Sequence, residues 1–142
     1  MPRPTADAAA ESLYLALALL IRRLKQTRDD ALSVPEISAL VRLETGPATL
    51  TALAKVERIS AQSLGATLGG LESRGLVRRD PDPDDGRQSS VSITTAGRAM
   101  LRNRRSNRAA QISRALAAQF TAQERATLRA AAPLLERLAH AL

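Results

Sequence analysis

Strand-like sequence occurs in only one stretch of the 142-residue chain, residues 76–94, and this restricts its fold more than any other feature. Residues 76–79 form a short, mostly apolar run, and residues 89–94 (S-S-V-S-I-T) alternate polar and apolar side chains as a half-buried strand does. The residues between them, D-P-D-P-D-D-G-R-Q, are rich in turn formers. We therefore expect a single two-stranded β-hairpin with a long polar tip.

The rest of the chain is predicted to be helical. It contains 27 Ala, 22 Leu and 19 Arg, which favour helices, but only one Tyr and one Phe, so an all-β fold is excluded. Capping boxes begin helices at Ser33 and Thr121, Gly75 ends another helix, and Pro133 is expected to kink the last one. The predicted helices cover residues 8–28, 33–45, 50–56, 61–74, 95–118 and 121–142.

The first and last helices carry apolar stripes that one chain does not obviously cover. The first has a stripe on one face and a second apolar face at Leu15 and Leu19, so it needs more than one packing partner. The last has apolar residues near the spacing of a coiled-coil seam. Both features indicate a homodimer, with Leu13, Leu17, Leu20, Leu128, Leu135 and Leu138 at the expected interface.

A nine-residue apolar run, residues 13–21, could be mistaken for a membrane segment. It is too short to span a bilayer. Acidic residues precede it and Arg22 and Arg23 follow it, which reverses the charge order of a signal peptide. We expect a cytoplasmic protein without a membrane partner.

The usual catalytic and metal-binding residues are scarce. The chain has no Cys and one His, His140, so thiol chemistry, zinc sites and Ser-His-Asp catalysis have little support. The acidic run at residues 80–86 superficially resembles a calcium loop, but Asp85 and Val91 stand where that loop needs Gly and Glu. We expect no enzyme activity, no metal and no cofactor.

The net charge of +7 points to a polyanionic partner, although a solvated basic surface would have the same charge. Residues 51–64 have the spacing of a helix-turn-helix, whose second helix reads base edges in the major groove of double-stranded DNA. We expect a small core around it that includes Leu53, Ala54, Val56, Ile59, Leu64, Leu68 and Leu71. The polar residues of that second helix are the candidate base-reading set: Ser60, Gln62, Ser63 and Thr67.

The segment that follows resembles the MarR family of winged-helix transcriptional regulators. The resemblance rests on L-E-S-R-G-L-V-R-R at residues 71–79, D-G-R at 85–87 and I-T-T-A-G at 93–97, and it covers residues 48–101. Ile93 replaces the family's usual Leu. The family usually has a long polar residue at position 66, where this chain has Ala66, and three glycines weaken the same helix.

This resemblance implies a mainly α fold: a winged helix-turn-helix with a two-stranded wing and long terminal dimerisation helices. Residues 33–95 would bind DNA, residues 1–32 and 119–142 would form the dimer, and residues 96–118 would connect them. In the wing, Arg87 would enter the minor groove and Asp85 would brace its guanidinium. Flanking arginines are candidate phosphate contacts: Arg58, Arg74, Arg78 and Arg79.

The function implied is a sequence-specific, homodimeric regulator, a repressor on a pseudo-palindromic operator. Many family members are released from DNA by a small aromatic acid. Here Tyr14 and Phe120 are the only aromatic residues, and Arg22, Arg23 or Arg42 could hold a carboxylate. The alternative is a nonspecific architectural DNA-binding protein, which the high charge and the glycine-rich helix would also suit.

Overall fold

The computed structural model describes residues 3–25 and 32–142. It is mainly helical, as predicted, with a small antiparallel sheet near the middle of the chain. The predicted end of the first helix at residue 28 lies outside the described residues. In chain order the elements are α1 (Ala6–Lys25), α2 (Val34–Leu43), β1 (Ala48–Thr49), α3 (Leu50–Glu57), α4 (Ala61–Ser73), β2 (Val77–Pro81), β3 (Ser89–Ile93), α5 (Thr95–Gln119) and α6 (Ala122–Ala141).

The sheet has three strands in the order β1-β3-β2, so a short strand that the sequence did not indicate joins the predicted two-stranded hairpin. The expected hairpin is present, with Val77 paired to Ile93 and Pro81 to Ser89. Strand β1 adds Ala48 and Thr49 along the other edge of β3. Two residues are too few to show an alternating pattern, and Thr49 also caps α3 by accepting a hydrogen bond from the Ala52 amide.

Local capping fixes the helix ends as the sequence predicts. Ser33 and Glu36 exchange two side chain–backbone hydrogen bonds at the start of α2, of 2.9 and 3.3 Å. Thr121 and Glu124 form the same capping box at the start of α6. Gly75 has φ +72°, the left-handed conformation that ends α4 at low steric cost. The helix α6 continues through Pro133, and the expected kink there stays a prediction.

The hydrophobic core is entirely aliphatic. Among the described residues, every buried core side chain is leucine, valine or alanine, and no polar side chain is buried. The predicted core positions Leu53 and Ala54 are buried, but Val56 and Ile59 are 51% and 39% exposed, which corrects that part of the prediction. Val56 lies about 200° around α3 from Ala54. Ile59 follows Arg58, whose left-handed backbone (φ 55°) redirects the chain.

The start of α5 packs directly against backbone at Gly97. A Cβ there would lie 2.3 Å from the Leu76 carbonyl oxygen and 2.8 Å from Ile93 Cγ1. The Thr94 hydroxyl holds the same junction by donating to the Gly75 carbonyl (2.6 Å) and accepting from the Gly97 amide (3.1 Å). Only glycine fits this contact between α5 and the backbone of residue 76, which follows α4.

Gly97→Ala should therefore lower the free energy of unfolding by about 2–3 kcal/mol, because backbone atoms must move to admit the methyl group. Urea unfolding followed by far-ultraviolet circular dichroism measures the change. Gly69→Ala is the matched control: a Cβ there meets nothing within 4 Å, so the variant should gain up to about 1 kcal/mol of helix stability. Equal stability of the two variants would contradict the close contact.

The chain divides into two compact units, Met1–Arg102 and Asn103–Leu142, with α5 contributing to both. The first unit contains the helices α1 to α4, the sheet and the start of α5. This division falls within the residues 96–118 predicted to connect DNA-binding and dimerisation regions, and the functional subdivision stays a prediction. No helix in the described parts of the chain combines the length and apolar character that crossing a membrane requires.

Candidate nucleic-acid interface

The segment from α3 to α4 forms the helix-turn-helix that the spacing predicts. The helix α3 ends at Glu57, and Arg58 reverses the chain direction with its left-handed backbone. The Ile59 amide donates to the Ala54 carbonyl (3.2 Å) and closes the turn. Ser60 then caps α4 by accepting a hydrogen bond from the Ser63 amide (3.1 Å). The geometry fixes the N-terminal end of α4, where base-reading residues of such a motif lie.

The four predicted base-reading residues lie in the first two turns of α4 or at its cap. They differ in burial and in the hydrogen bonds that their side chains already make. The Ser60 hydroxyl donates to Ser63 Oγ (3.0 Å), and the Thr67 hydroxyl donates to the Ser63 carbonyl (3.2 Å). Thr67 is half-buried, whereas Gln62 and Ser63 are exposed. Within the described residues the Gln62 amide makes no hydrogen bond, so its donors and acceptor face solvent.

The exposed face of α4 consists mainly of small, uncharged residues. Ala61, Gly65, Ala66 and Gly69 share the face that carries Gln62, and the helix contains no charged residue before Glu72. A Cβ added at Gly65 or Gly69 would meet no atom within 4 Å. This surface allows close approach of the helix backbone to a ligand, and Gln62 is its only long side chain.

The tip of the wing is built by hydrogen bonds between its two sides. The Asp82 amide donates to the Gln88 carbonyl (2.9 Å), and the Gln88 amide donates to the Asp85 carbonyl (3.0 Å). Asp85 accepts from the Arg87 backbone amide (3.1 Å) and from the Gln88 side-chain amide (3.4 Å). The carboxylate therefore braces the loop backbone rather than the Arg87 guanidinium, which corrects the predicted side-chain pair.

Arg87 is exposed at this tip. Across the described ranges 3–25 and 32–142, its guanidinium forms no ion pair, so its charge is presented to solvent. The loop conformation that Asp85 maintains determines where that charge stands. Such a group suits the narrow, electronegative minor groove of A·T-rich DNA.

Three of the four arginines predicted to contact phosphate lie beside acidic side chains. Arg78 Nε is 2.9 Å from Asp80 Oδ2, and Arg74 Nη1 is 3.8 Å from Glu36 Oε2. Arg58 is exposed in the turn between α3 and α4. The sequence alone did not indicate these pairs. Arg78 and Asp80 are neighbours because residues two apart on a strand share a face.

Arg79 contacts α4, the second helix of the helix-turn-helix, which is called the recognition helix below. Its Nε lies 3.0 Å from Glu72 Oε2, and its Nη2 donates to the Gly65 carbonyl at 3.3 Å. Its side chain is only 29% exposed, against 72% for its neighbour Arg78. Sequence reasoning grouped the two arginines together, and the structure separates them.

The predicted dimer residues lie on helices that bury nothing within one chain. Neither α1 nor α6 contains a buried residue. Leu13, Leu20, Leu128 and Leu138 are 39–49% exposed, while Leu17 and Leu135 are half-buried. Large apolar side chains exposed along a whole helix indicate a missing packing partner.

The residues considered for an effector are all exposed. Tyr14 is 73% exposed on α1, and Phe120 is also exposed between α5 and α6. Arg42 Nε pairs with Glu57 Oε1 at 2.9 Å, and Glu57 also accepts a hydrogen bond from Ser38. Arg42 is thus already paired with an acid, while Arg22 and Arg23 are exposed.

Comparison with known proteins places this geometry among transcriptional regulators. The sequence profile of the MarR family matches residues 32–89. The Mycobacterium bovis protein named uncharacterized HTH-type transcriptional regulator Mb0904 is 34% identical over 89% of both chains. A Pseudomonas aeruginosa protein assigned as a transcriptional regulator has a crystal structure similar to this one, with TM-score 0.80 and 33% identity over 93% of this chain and 94% of that chain.

A further solved structure has the same fold at low sequence identity. It is a MepR mutant of Staphylococcus aureus bound to an oligodeoxyribonucleotide, with TM-score 0.66 and 19% identity over 92% of this chain and 98% of that chain. At this identity the likeness extends to the fold alone.

Proposed function

The chain belongs to the MarR family of winged-helix transcriptional regulators, and from that premise we propose that it is a sequence-specific repressor that binds a pseudo-palindromic operator as a homodimer. The observation that carries the proposal is the pairing of two free polar groups on one compact unit. Gln62 is exposed on the recognition helix, and Arg87 is exposed at the wing tip. The Gln62 amide suits a base edge in the major groove, and the Arg87 guanidinium suits the adjacent minor groove.

The dimer follows from the unburied faces of α1 and α6. Two copies would place two recognition helices about one helical turn of DNA apart, roughly 34 Å, so the operator should have two related half-sites. The chain would act where the chromosome is, in the cytoplasm. A repressor of this kind works by occupying promoter DNA, and it needs no catalytic residue.

The alternative is nonspecific, architectural DNA binding. The observation in its favour is the small, uncharged face of α4, which has one long polar side chain to read bases. A protein of this kind would rely on its positive charge, so its affinity would fall steeply with salt and vary little with sequence.

Binding to the DNA upstream of its own gene, against excess random competitor at physiological salt, separates the two functions. A complex that survives competition and protects a palindrome of about two helical turns supports the repressor. Equal affinity for every duplex supports the architectural protein. Because the operator could lie elsewhere in the genome, selection of bound fragments from whole-genome DNA is the second step, and failure to enrich any sequence would refute the proposal.

Gln62→Ala should lower affinity for DNA that carries the preferred base and leave affinity for other sequences unchanged. The loss should be about 1–3 kcal/mol at one base step in each half-site, because the amide can pair with a single base edge. Binding to a library of single-base operator variants measures it. Gln123→Ala on α6 is the matched control and should leave base preference unchanged. A uniform loss on every sequence would assign Gln62 to the DNA backbone instead.

We extend the proposal to an effector that releases DNA by favouring an incompetent spacing of the two recognition helices. Such a ligand acts only through its different affinity for the two states. With only two aromatic residues in the chain, an aromatic-lined cavity has little support, which favours an aliphatic acid. Addition of small carboxylic acids to the operator complex tests this, and the absence of release by any of them would remove the effector from the proposal.

A further inference from the structure

Strand β2 presents its two arginines to opposite sides of the sheet. Successive strand residues face opposite ways, and the buried residue Val77 identifies the inner face. Arg79 lies on that inner face, directly across from Val91, which is completely buried. Arg78 lies on the outer face and is exposed. A phosphate contact from Arg79 would require its side chain to leave the inner face.

On the inner face the Arg79 guanidinium contacts α4 at two positions along the helix. One nitrogen donates to the Gly65 carbonyl in the second turn, and another lies against the Glu72 carboxylate in the last turn. The guanidinium is suited to both contacts because its delocalised charge pairs with the carboxylate while a separate N–H donates to the carbonyl. These two contacts join the strand of the wing to the helix that reads the bases.

The recognition helix depends on such a contact more than most helices do, because its own helix propensity is low. Gly65, Gly69 and Gly70 each lower helix propensity by about 1 kcal/mol relative to alanine. Specific binding requires the helix and the wing to enter neighbouring grooves at the same time. If the helix bent or rotated relative to the wing, the protein would keep its positive charge. The helix and the wing would then no longer fit both grooves at once.

We propose that Arg79 is a positioning residue that holds the recognition helix at a fixed angle to the wing, through Gly65 and Glu72. It does not contact phosphate. The inference rests on the proposed sequence-specific binding and deepens it, because it assigns part of the specificity to a contact within the protein.

Glu72→Gln distinguishes the two roles by the sign of its effect. If Arg79 positions the helix, removal of its acidic partner weakens operator binding about tenfold, the order expected for losing a charged contact. If Arg79 contacts phosphate, the same change frees the guanidinium and removes a negative charge near DNA, so binding becomes tighter. Tighter binding would overturn the proposal. Glu72 is about half exposed, so this variant should fold.

Arg79→Gln and Arg78→Gln form a matched pair on adjacent residues. Arg79→Gln should lower the affinity ratio between operator and random DNA while leaving the salt dependence of binding unchanged. Arg78→Gln should weaken binding to both and reduce the salt slope by about one, as loss of a phosphate contact does. A reduced salt slope in Arg79→Gln would also overturn the proposal.

Combining Glu72→Gln with Arg79→Gln tests whether they act together. The double variant should bind the operator no more weakly than Arg79→Gln alone, because that variant already removes both contacts with α4. Additive losses would contradict it. Thermal unfolding of each variant excludes a general loss of fold, which would lower binding to operator and random DNA in the same proportion. If the unaltered protein shows no sequence preference, the proposed function fails; if it does and the variants behave as phosphate contacts, only this inference fails.

Discussion

Arg87→Ala is expected to reduce operator affinity about a hundredfold, because a dimer would lose two wing contacts of about 1–3 kcal/mol each. The side chain is exposed and forms no ion pair in the part of the chain that the structure describes, so its removal disturbs no internal contact. The folded dimer should therefore persist, and the loss should be largest for operators with an A·T-rich minor groove beneath the wing.

Electrophoretic mobility shift against the selected operator measures the affinity, and analytical ultracentrifugation verifies the dimer. Arg125→Ala on α6 is the control, since it removes the same charge from a helix with no proposed role in DNA binding. If Arg87→Ala bound the operator as tightly as that control, the wing would have no part in binding. Arg87→Lys should recover part of the affinity, because it restores the charge without the planar donors.

Leu135→Glu combined with Leu138→Glu should abolish the dimer and with it operator binding. Both side chains lie on the apolar stripe of α6, and a charge buried in an apolar contact costs several kcal/mol unless it is paired. A monomer would present one recognition helix and one wing, so it would retain only the weak affinity of a half-site.

The control for this pair places two charges elsewhere on the same helix. Ala126→Glu with Ala130→Glu lies roughly half a turn from the stripe and should leave the dimer intact. Sedimentation velocity gives the oligomeric state of both variants, and circular dichroism gives their helix content. A stable dimer carrying both stripe substitutions would show that α6 does not form the interface.

The elements that sequence predicted well are those set by local chemistry. The capping boxes at Ser33 and Thr121 and the glycine end of α4 depend on side chains within a few residues of each other. Their hydrogen bonds can be anticipated from spacing alone. The helix-turn-helix and the hairpin were predictable for the same reason, and the resemblance to a family added the order in which they combine.

The errors arise where the folded geometry, rather than the residue pattern, selects the contact. Strand β1 exists because β3 offers it a free edge, and two residues cannot indicate that by themselves. Asp85 was assigned to the Arg87 side chain, whereas the folded loop brings a backbone amide closer. Hydrophobicity alone predicts Val56 in the core, but a different face of its helix packs against the core.

The inner-face position of Arg79 is one that the sequence could have predicted. It lies two residues after Val77 in a predicted strand, so alternation places it on the inner face with that valine. An arginine on an inner face requires a partner within the protein. Its partners, Glu72 and the Gly65 carbonyl, could not be identified without the packing of α4 against β2.

The aliphatic core has a spectroscopic consequence. The only tyrosine and phenylalanine, Tyr14 and Phe120, lie outside residues 32–101, and the chain has no tryptophan. The DNA-binding region therefore contains no intrinsic fluorophore, and its unfolding leaves tyrosine emission unchanged unless the terminal helices unfold with it. Tyr14 is exposed on α1 between Leu13 and Leu17, so its emission should change when two subunits meet there. Tyrosine emission can thus report subunit association without an added label and without a contribution from the DNA-binding region.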